Sequence, residues 1–98
     1  MIIASFVFRQ HTTNQDFEAL DDEIMARAQQ NPGFVKKLKW TSGETIKVDY
    51  YFADKASLQS FRTDEVHRVA KKRYQEWYVG YEVEISEVIH SFSDGNLG

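Results

Sequence analysis

The chain has 98 residues, with 12 basic and 15 acidic side chains, and carries a net charge of −3 when its histidines are neutral. This length supports one hydrophobic core, the 42% of hydrophobic residues excludes a disordered chain, and the slight acidic excess argues against a dedicated nucleic-acid-binding protein. The absence of cysteine excludes a disulfide framework, a thiolate nucleophile and a cysteine-ligated metal site.

The first elements predicted along the chain are a strand and a helix. Residues 2–8 are rich in β-branched and aromatic side chains, which predicts the first strand. Thr13, with Asp16 three residues later, resembles a capping box and predicts a helix start, and Pro32 with Gly33 predicts the helix end. The apolar side chains between these signals recur at helical spacing, at Phe17, Leu20, Ile24 and Ala28.

A β-hairpin is predicted next. Residues 34–41 and 45–52 both alternate between apolar and polar side chains, and a short Ser-Gly-Glu turn joins them. In the first of these strands, the alternation predicts that Phe34, Leu38 and Trp40 share one face. Lys37 and Lys39 are then expected on the other face.

The second half of the chain predicts two helical segments and a final strand. Asp54 is the expected cap of a short helix over residues 55–62, and Thr63 or Asp64 begins a second helical segment that ends at about Glu76. Apolar and polar residues then alternate through the last strand, and a change of phase at Val88 predicts a bulge near residues 86–87.

The element order is β-α-β-β-α-β, and its simplest arrangement is an α+β ferredoxin-like plait. We expect a four-stranded antiparallel sheet with the helices on one face, formed by residues 1–92, followed by a flexible tail over residues 93–98. The apolar N-terminal stretch is short and has no basic leader, and no apolar run is long enough to span a membrane. We therefore expect no membrane contact and a cytoplasmic location.

The first strand predicts how the sheet is covered. Its even-numbered face, with Phe6 and Phe8, and its odd-numbered face, with Ile3 and Val7, are both largely apolar, so both need cover. We predict a homodimer that pairs two open sheet faces, with Glu82 and Glu84 meeting lysines of the partner subunit. Four charged residues are expected on that face: Lys37, Lys39, Lys47 and Asp49. A monomer with a half-hydrated sheet is the alternative.

Specific residues in the second half resemble those of a known family. They are Phe61-Arg62, Glu65-Val66-His67, Ala70, Trp77-Tyr78, Tyr81 and Val83 to Val88, and they are joined by Asn31-Pro32-Gly33-Phe34. This pattern is similar to the antibiotic biosynthesis monooxygenase domain family of the dimeric α/β-barrel superfamily. The resemblance implies a sheet-to-sheet dimer, a cavity between helices and sheet, and oxygenation of aromatic rings without metal or flavin. One branch degrades haem, but Phe61 and Lys71 stand at two positions where that branch has other residues, which argues against haem.

Candidate site residues follow from the chemistry of such a reaction. His67 is the best candidate base, because imidazole titrates near neutral pH, and we expect Trp77 and Tyr81 to orient the substrate or take a proton with it. Six aromatic side chains are predicted to line the substrate pocket: Phe6, Phe8, Trp40, Tyr50, Phe52 and Phe61. The prediction is a cofactor-independent monooxygenase-like protein acting on a small aromatic or quinone-type molecule. A non-catalytic dimeric small-molecule-binding or interaction protein of the same fold is the alternative.

Overall fold

The computed structural model describes residues 1–97. The elements follow in the order β1 (Ile2–Gln10), α1 (Gln15–Gln30), β2 (Phe34–Ser42), β3 (Thr45–Phe52), α2 (Lys55–Arg62), α3 (Glu65–Arg73), a 3₁₀ turn (Tyr74–Glu76) and β4 (Tyr78–Glu87). The strands form one antiparallel sheet in the order β2-β3-β1-β4. This arrangement confirms the predicted ferredoxin-like plait.

Each helix begins at a side chain that accepts a hydrogen bond from the first turn. Asp54 caps α2 by accepting from the Ser57 amide at 2.8 Å, and Asp64 caps α3 by accepting from the Val66 amide at 3.0 Å. The cap of α1 is Asn14, whose side-chain oxygen accepts from the Phe17 amide at 2.9 Å. The capping box predicted at Thr13 is therefore wrong by one residue.

A β-bulge lies at Val35, near the start of β2. Phe34 pairs with Phe52, but the next pair across the hairpin is Lys36 with Tyr51, so Val35 is an extra residue with no direct partner. An extra residue reverses which side chains of the following strand point to each face of the sheet.

The bulge overturns the predicted faces of β2. Lys37 pairs with Tyr50 and Lys39 with Val48, so both lysines lie on the helix side of the sheet. The ammonium of Lys37 lies 5.5 Å from the centre of the Tyr50 ring, which agrees with that register. Leu38 and Trp40 lie on the opposite side, which is the reverse of the expected arrangement.

A second register shift lies between Arg9 and Gln10, where β1 meets the start of β4. The bulge predicted near residues 86–87 is wrong, because β4 pairs regularly with β1 as far as Glu87. The alternation of apolar and polar residues breaks at Val88 because β4 ends at Glu87. The amide of Val88, the next residue, donates a hydrogen bond to the carbonyl oxygen of Met1 at 2.9 Å.

The core lies between the helices and one face of the sheet. Its buried residues come from alternate positions of β1 and β3 and from two helices, α1 and α2. They are Ile2, Phe8, Ala28, Val48, Tyr50, Phe52, Leu58 and Phe61. The edge strand β4 is less well covered on this side, since Tyr81, Val83 and Ile85 remain between 44% and 52% exposed.

The other side of the sheet, which we call the open face, carries a mixture of apolar and charged side chains. The residues that register places there include Ile3, Ser5, Val7, Lys36, Leu38, Trp40, Lys47, Asp49, Tyr51, Glu82 and Glu84. Lys47 and Asp49 were expected there, and the structure agrees.

Residues 88–97 follow β4 without regular secondary structure, and the side chains of Ile89, Phe92 and Leu97 are exposed. The tail predicted over residues 93–98 falls largely in this segment, although Gly98 lies outside the described residues, and its flexibility stays a prediction. Within residues 1–97, no helix is both long enough and apolar enough to cross a lipid bilayer.

Gly33 is the tightest packing point at the junction between α1, β2 and α2. A Cβ atom added there would lie 1.9 Å from Ser57 Oγ and 2.3 Å from Ser57 Cβ. We expect Gly33→Ala to lower the free energy of unfolding by about 2 kcal/mol, because one of the two backbones must shift. Urea unfolding measures this change. Gly80→Ala is the control, since nothing lies within 4 Å of its added Cβ, and equal losses in the two variants would contradict the packing argument.

Candidate functional site

One group of aromatic rings fills the core between β3 and α2. The ring centres of Tyr50 and Phe61 lie 4.9 Å apart, and those of Phe52 and Phe61 lie 5.0 Å apart. All three side chains are at least nine-tenths buried. These three residues pack closely on one another, and their expected place in the lining of a substrate pocket stays a prediction.

A second group of rings joins β1 to the start of β4. Phe8 contacts Tyr78 at a centroid distance of 4.4 Å, and Phe6 contacts Phe8 at 5.0 Å and Tyr81 at 5.5 Å. Phe17 of α1 extends this group by contacting Trp77 at 5.5 Å. The structure therefore brings Phe6, Phe8 and Tyr81 into one packed layer on the helix side of the sheet.

A small hollow lies beside this second group, between α1, α3 and the first residues of β4. Its volume is about 30 Å³. An apolar cavity that holds a benzene ring measures about 150 Å³, so this hollow has room for one or two water molecules. Its lining residues are Phe17, Leu20, Asp21, Ile24, Ala70, Trp77 and Tyr78.

Asp21 is the one carboxylate in the lining of this hollow. Burial raises the pKa of the Tyr78 phenol well above its ordinary value, and the negative charge of Asp21 raises it further. Burial and Asp21 act in the same direction on the pKa of Tyr50. Both phenols therefore remain protonated at neutral pH, and Tyr78 lines the hollow together with Asp21.

The sequence reasoning missed Asp21. Asp21 is one of five acidic residues in α1. Asp21 follows Phe17 by four residues and precedes Ile24 by three, so helical spacing puts it on the apolar face of α1. An acid at an apolar position is the signal that distinguishes Asp21 from Asp22, which is exposed.

Trp77 is held firmly in the wall of the hollow. It is 1% exposed, and its indole N–H donates to the side-chain oxygen of Asn14 at 3.2 Å. The guanidinium of Arg73 lies 4.9 Å from the centre of the Trp77 ring and also binds Asp16 at 3.2 Å and Glu76 at 2.6 Å. These contacts tie the start of α1 to the turn before β4.

His67 lies elsewhere, against Phe61. The two ring centres are 4.2 Å apart in an edge-to-face arrangement. Burial lowers the pKa of His67, and the nearby positive charge of Lys71 also lowers it, whereas Asp64 raises it. The imidazole is therefore predominantly neutral at pH 7, which is the form that accepts a proton.

The three predicted catalytic residues make separate ring contacts. His67 packs on Phe61, Trp77 packs on Phe17, and Tyr81 packs on Phe6 and Tyr74. His67 is in the first turn of α3, so roughly 9 Å of helix separates it from the end that leads to Trp77. Of the three, Trp77 lines the hollow, and the predicted roles of all three residues stay predictions.

Trp40 is separated from the other predicted pocket residues by the sheet itself. It lies on the open face and is 55% exposed. Its indole N–H donates to Asp49 Oδ2 at 3.2 Å, and the Ser5 hydroxyl donates to Asp49 Oδ1 at 2.6 Å. Asp49 is consequently 5% exposed. The expectation that Trp40 shares a pocket with Tyr50 and Phe61 is wrong, because the bulge at Val35 reverses its face.

Solved structures share this fold. A cofactor-independent oxygenase from Streptomyces nogalater, SnoaB, superposes with a TM-score of 0.73 at 12% identity, covering 92% of this chain and 94% of that one. The Mycobacterium tuberculosis protein Rv0793 superposes with a TM-score of 0.76 at 12% identity, covering 94% of this chain and 98% of that one. A proposed antibiotic biosynthesis monooxygenase from Nitrosomonas europaea superposes with a TM-score of 0.72 at 8% identity, covering 92% of this chain and 100% of that one.

These likenesses confirm the predicted resemblance to antibiotic biosynthesis monooxygenases at the level of fold. In sequence, the chain matches no protein-family model and no curated protein. Among the described residues, no three side chains of histidine, aspartate or glutamate are placed to share a metal ion.

The raised pKa values of Tyr50 and Tyr78 predict a loss of stability in alkali. Unfolded tyrosines ionise near pH 10, whereas these two stay protonated in the folded state, so folding stability falls as the pH rises above about 10. Between pH 9 and pH 11, we expect the free energy of unfolding to fall by about 1 kcal/mol less in Tyr78→Phe than in the unchanged protein. Urea unfolding at several pH values measures it. Tyr51→Phe is the control on the open face, and identical slopes for both variants would contradict the prediction.

Proposed function

We propose that the chain is a cofactor-independent oxygenase-like protein that binds a small aromatic or quinone-type molecule at the hollow between α1, α3 and β4. The observation that carries this proposal is the position of the Asp21 carboxylate beside the protonated Tyr78 phenol in a lining that is otherwise apolar. The fold that the chain shares with SnoaB, itself a cofactor-independent oxygenase, supports it.

The arrangement supplies the groups that such a reaction needs. Asp21 takes a proton from an activated C–H or O–H of the ring, and Tyr78 donates a hydrogen bond to the oxygen on which negative charge accumulates. The ring anion then passes an electron to O₂. One oxygen atom is bonded to the ring carbon in place of two hydrogens, and the other leaves as water. Trp77 and Phe17 form flat walls that exclude solvent.

Binding of a ring requires the hollow to widen, because about 30 Å³ is smaller than an aromatic molecule. Leu20 and Ile24 are flexible side chains on the α1 side of the hollow, and both are partly exposed. Their movement outward enlarges the space without disturbing Trp77, which is fixed by Asn14.

The small size of the hollow favours a second candidate function. A binding or interaction protein with this fold needs no enclosed reaction chamber, and His67, the best base predicted from sequence, makes its ring contact with Phe61 and not with the residues of the hollow. Under this candidate, ring compounds bind saturably and are released unchanged.

Oxygen uptake distinguishes the two candidates. With anthrone- or hydroquinone-type compounds, we expect Asp21→Asn and Tyr78→Phe each to lower turnover by about 100-fold, because each removes a group that acts on the ring anion. Asp22→Asn, an exposed neighbour on the same helix turn, is the matched control and should leave turnover unchanged. His67→Ala tests the sequence-based base, and unchanged turnover removes it from the reaction. Binding without turnover in the unchanged protein would favour the second candidate.

The open face supports the proposal of a homodimer. Ile3, Val7 and Leu38 present apolar surface there, and Trp40 adds the largest exposed ring. These apolar side chains lose contact with water when another surface covers the face. We propose that a second copy of the chain covers it.

Charge along the open face favours one orientation of that second copy. Glu82 and Glu84 lie on β4 at one edge of the sheet, and Lys36 lies on β2 at the other edge, with Lys47 next to it on β3. A two-fold axis that runs parallel to the strands, between two facing sheets, places the acidic edge of each copy over the basic edge of its partner. Opposite charges then meet at both ends of the interface.

Charge reversal tests this interface. We expect Glu82→Lys with Glu84→Lys to raise the dimer dissociation constant by about tenfold or more, since like charges then face one another. Adding Lys36→Glu and Lys47→Glu to the same chain should restore association. Sedimentation measures the mass at several concentrations. Glu87→Lys, on the helix side of β4, is the control, and a single-chain mass for the unchanged protein at all concentrations would rule the dimer out.

A further inference from the structure

A polar groove lies beside the end of α1. It has a volume of about 350 Å³, roughly ten times that of the hollow, and lies within the range of small-molecule sites. Its lining residues are Arg27, Gln30, Asn31, Pro32, Ala56, Ser57, Ser60, Phe61 and Asp64. The proposed oxygenase reaction makes no use of this groove.

Arg27 and Asp64 both line the groove and form a loose ion pair there. Arg27 Nη1 lies 3.6 Å from Asp64 Oδ2, and Arg27 Nη2 lies 3.8 Å from Glu23 Oε1. Charge-assisted hydrogen bonds are about 2.7–2.9 Å long, so neither contact saturates the guanidinium. The other oxygen of Asp64, Oδ1, accepts from the Val66 amide, so the long contact with Arg27 is the polar contact made by Oδ2.

The floor of the groove is fixed before any ligand binds. The Asn31 side chain donates to the Ser57 carbonyl at 2.8 Å and accepts from the Gly33 amide at 2.9 Å. This residue therefore joins the end of α1, the entry to β2 and the first turns of α2. A fixed site loses little conformational entropy on binding.

The pairing of charges selects the class of ligand. A purely anionic molecule is attracted by Arg27 but repelled by Asp64 and Glu23. A purely cationic molecule is attracted by the two carboxylates but repelled by Arg27. A molecule that carries both charges a few ångströms apart satisfies both sides. Pro32, Ala56 and the accessible edge of Phe61 offer an apolar wall beside these charges.

We propose that the groove binds a zwitterionic amino acid with an apolar side chain. Its carboxylate pairs with Arg27, its ammonium pairs with Asp64 Oδ2, and its side chain lies against Pro32 and Phe61. The site is separate from the hollow and stands independently of the proposed oxygenase function.

NMR titration of the whole chain with L-phenylalanine tests this proposal. We expect saturable shifts at the amides of Ser57, Ser60 and Asp64, and at the His67 ring, which contacts Phe61 at 4.2 Å between ring centres. Two probes of matched shape complete the design: 3-phenylpropionate, which lacks the ammonium, and phenethylamine, which lacks the carboxylate. Each should bind at least about tenfold more weakly than L-phenylalanine, because each forgoes one charge-assisted contact.

Two variants test which protein side chain pairs with each charged group of the ligand. Arg27→Gln should lower the affinity for L-phenylalanine by about tenfold without lowering the affinity for phenethylamine. Asp64→Asn, which keeps a capping side chain on α3, should lower the affinity for L-phenylalanine without lowering the affinity for 3-phenylpropionate. Arg62→Gln is the matched control, because Arg62 is exposed and does not line the groove. Absence of saturable shifts at millimolar L-phenylalanine, or equal affinity for all three probes, would overturn the proposal.

Discussion

The architecture depends on β1, which is hydrogen-bonded to a strand on each edge and carries apolar side chains on both faces. Because β1 lies between β3 and β4, its helix-side residues Phe6 and Phe8 and its open-face residues Ile3 and Val7 cannot all be covered by one layer of helices. α1 and α2 bury the first pair with the core of β3. The second pair is left to an outer cover, so the same strand that organises the monomer also creates the surface proposed for dimerisation.

Much of the fold was predictable because its signals are local. Asp54 and Asp64 are strong caps followed by helical spacing, and the alternation in β3 survives intact in the structure. The bulge at Val35 was not predictable, because an extra residue in a strand leaves the alternating pattern in place while reversing what each side chain faces. That single residue moved Trp40 to the open face and Lys37 to the helix side.

The candidate site was predicted less completely for a related reason. Trp77 lines the hollow and is 1% exposed, and its predicted role in orienting a substrate stays a prediction. His67 and Tyr81 are on elements that sequence alone cannot orient toward one another, and their ring contacts proved to be with Phe61 and Phe6. Asp21 was hidden among five acidic residues, and only its position on the apolar face of α1 distinguishes it.

One amide oxygen has a role beyond the site it supports. The side-chain oxygen of Asn14 accepts both the Phe17 amide, which starts α1, and the Trp77 indole, which is separated from it by 63 positions in sequence. The same oxygen atom thus caps α1 and holds the residue that precedes β4, which joins two distant parts of the sequence at one point. In a chain truncated before Trp77, this oxygen keeps its bond to the Phe17 amide and lacks its partner from the second half of the chain.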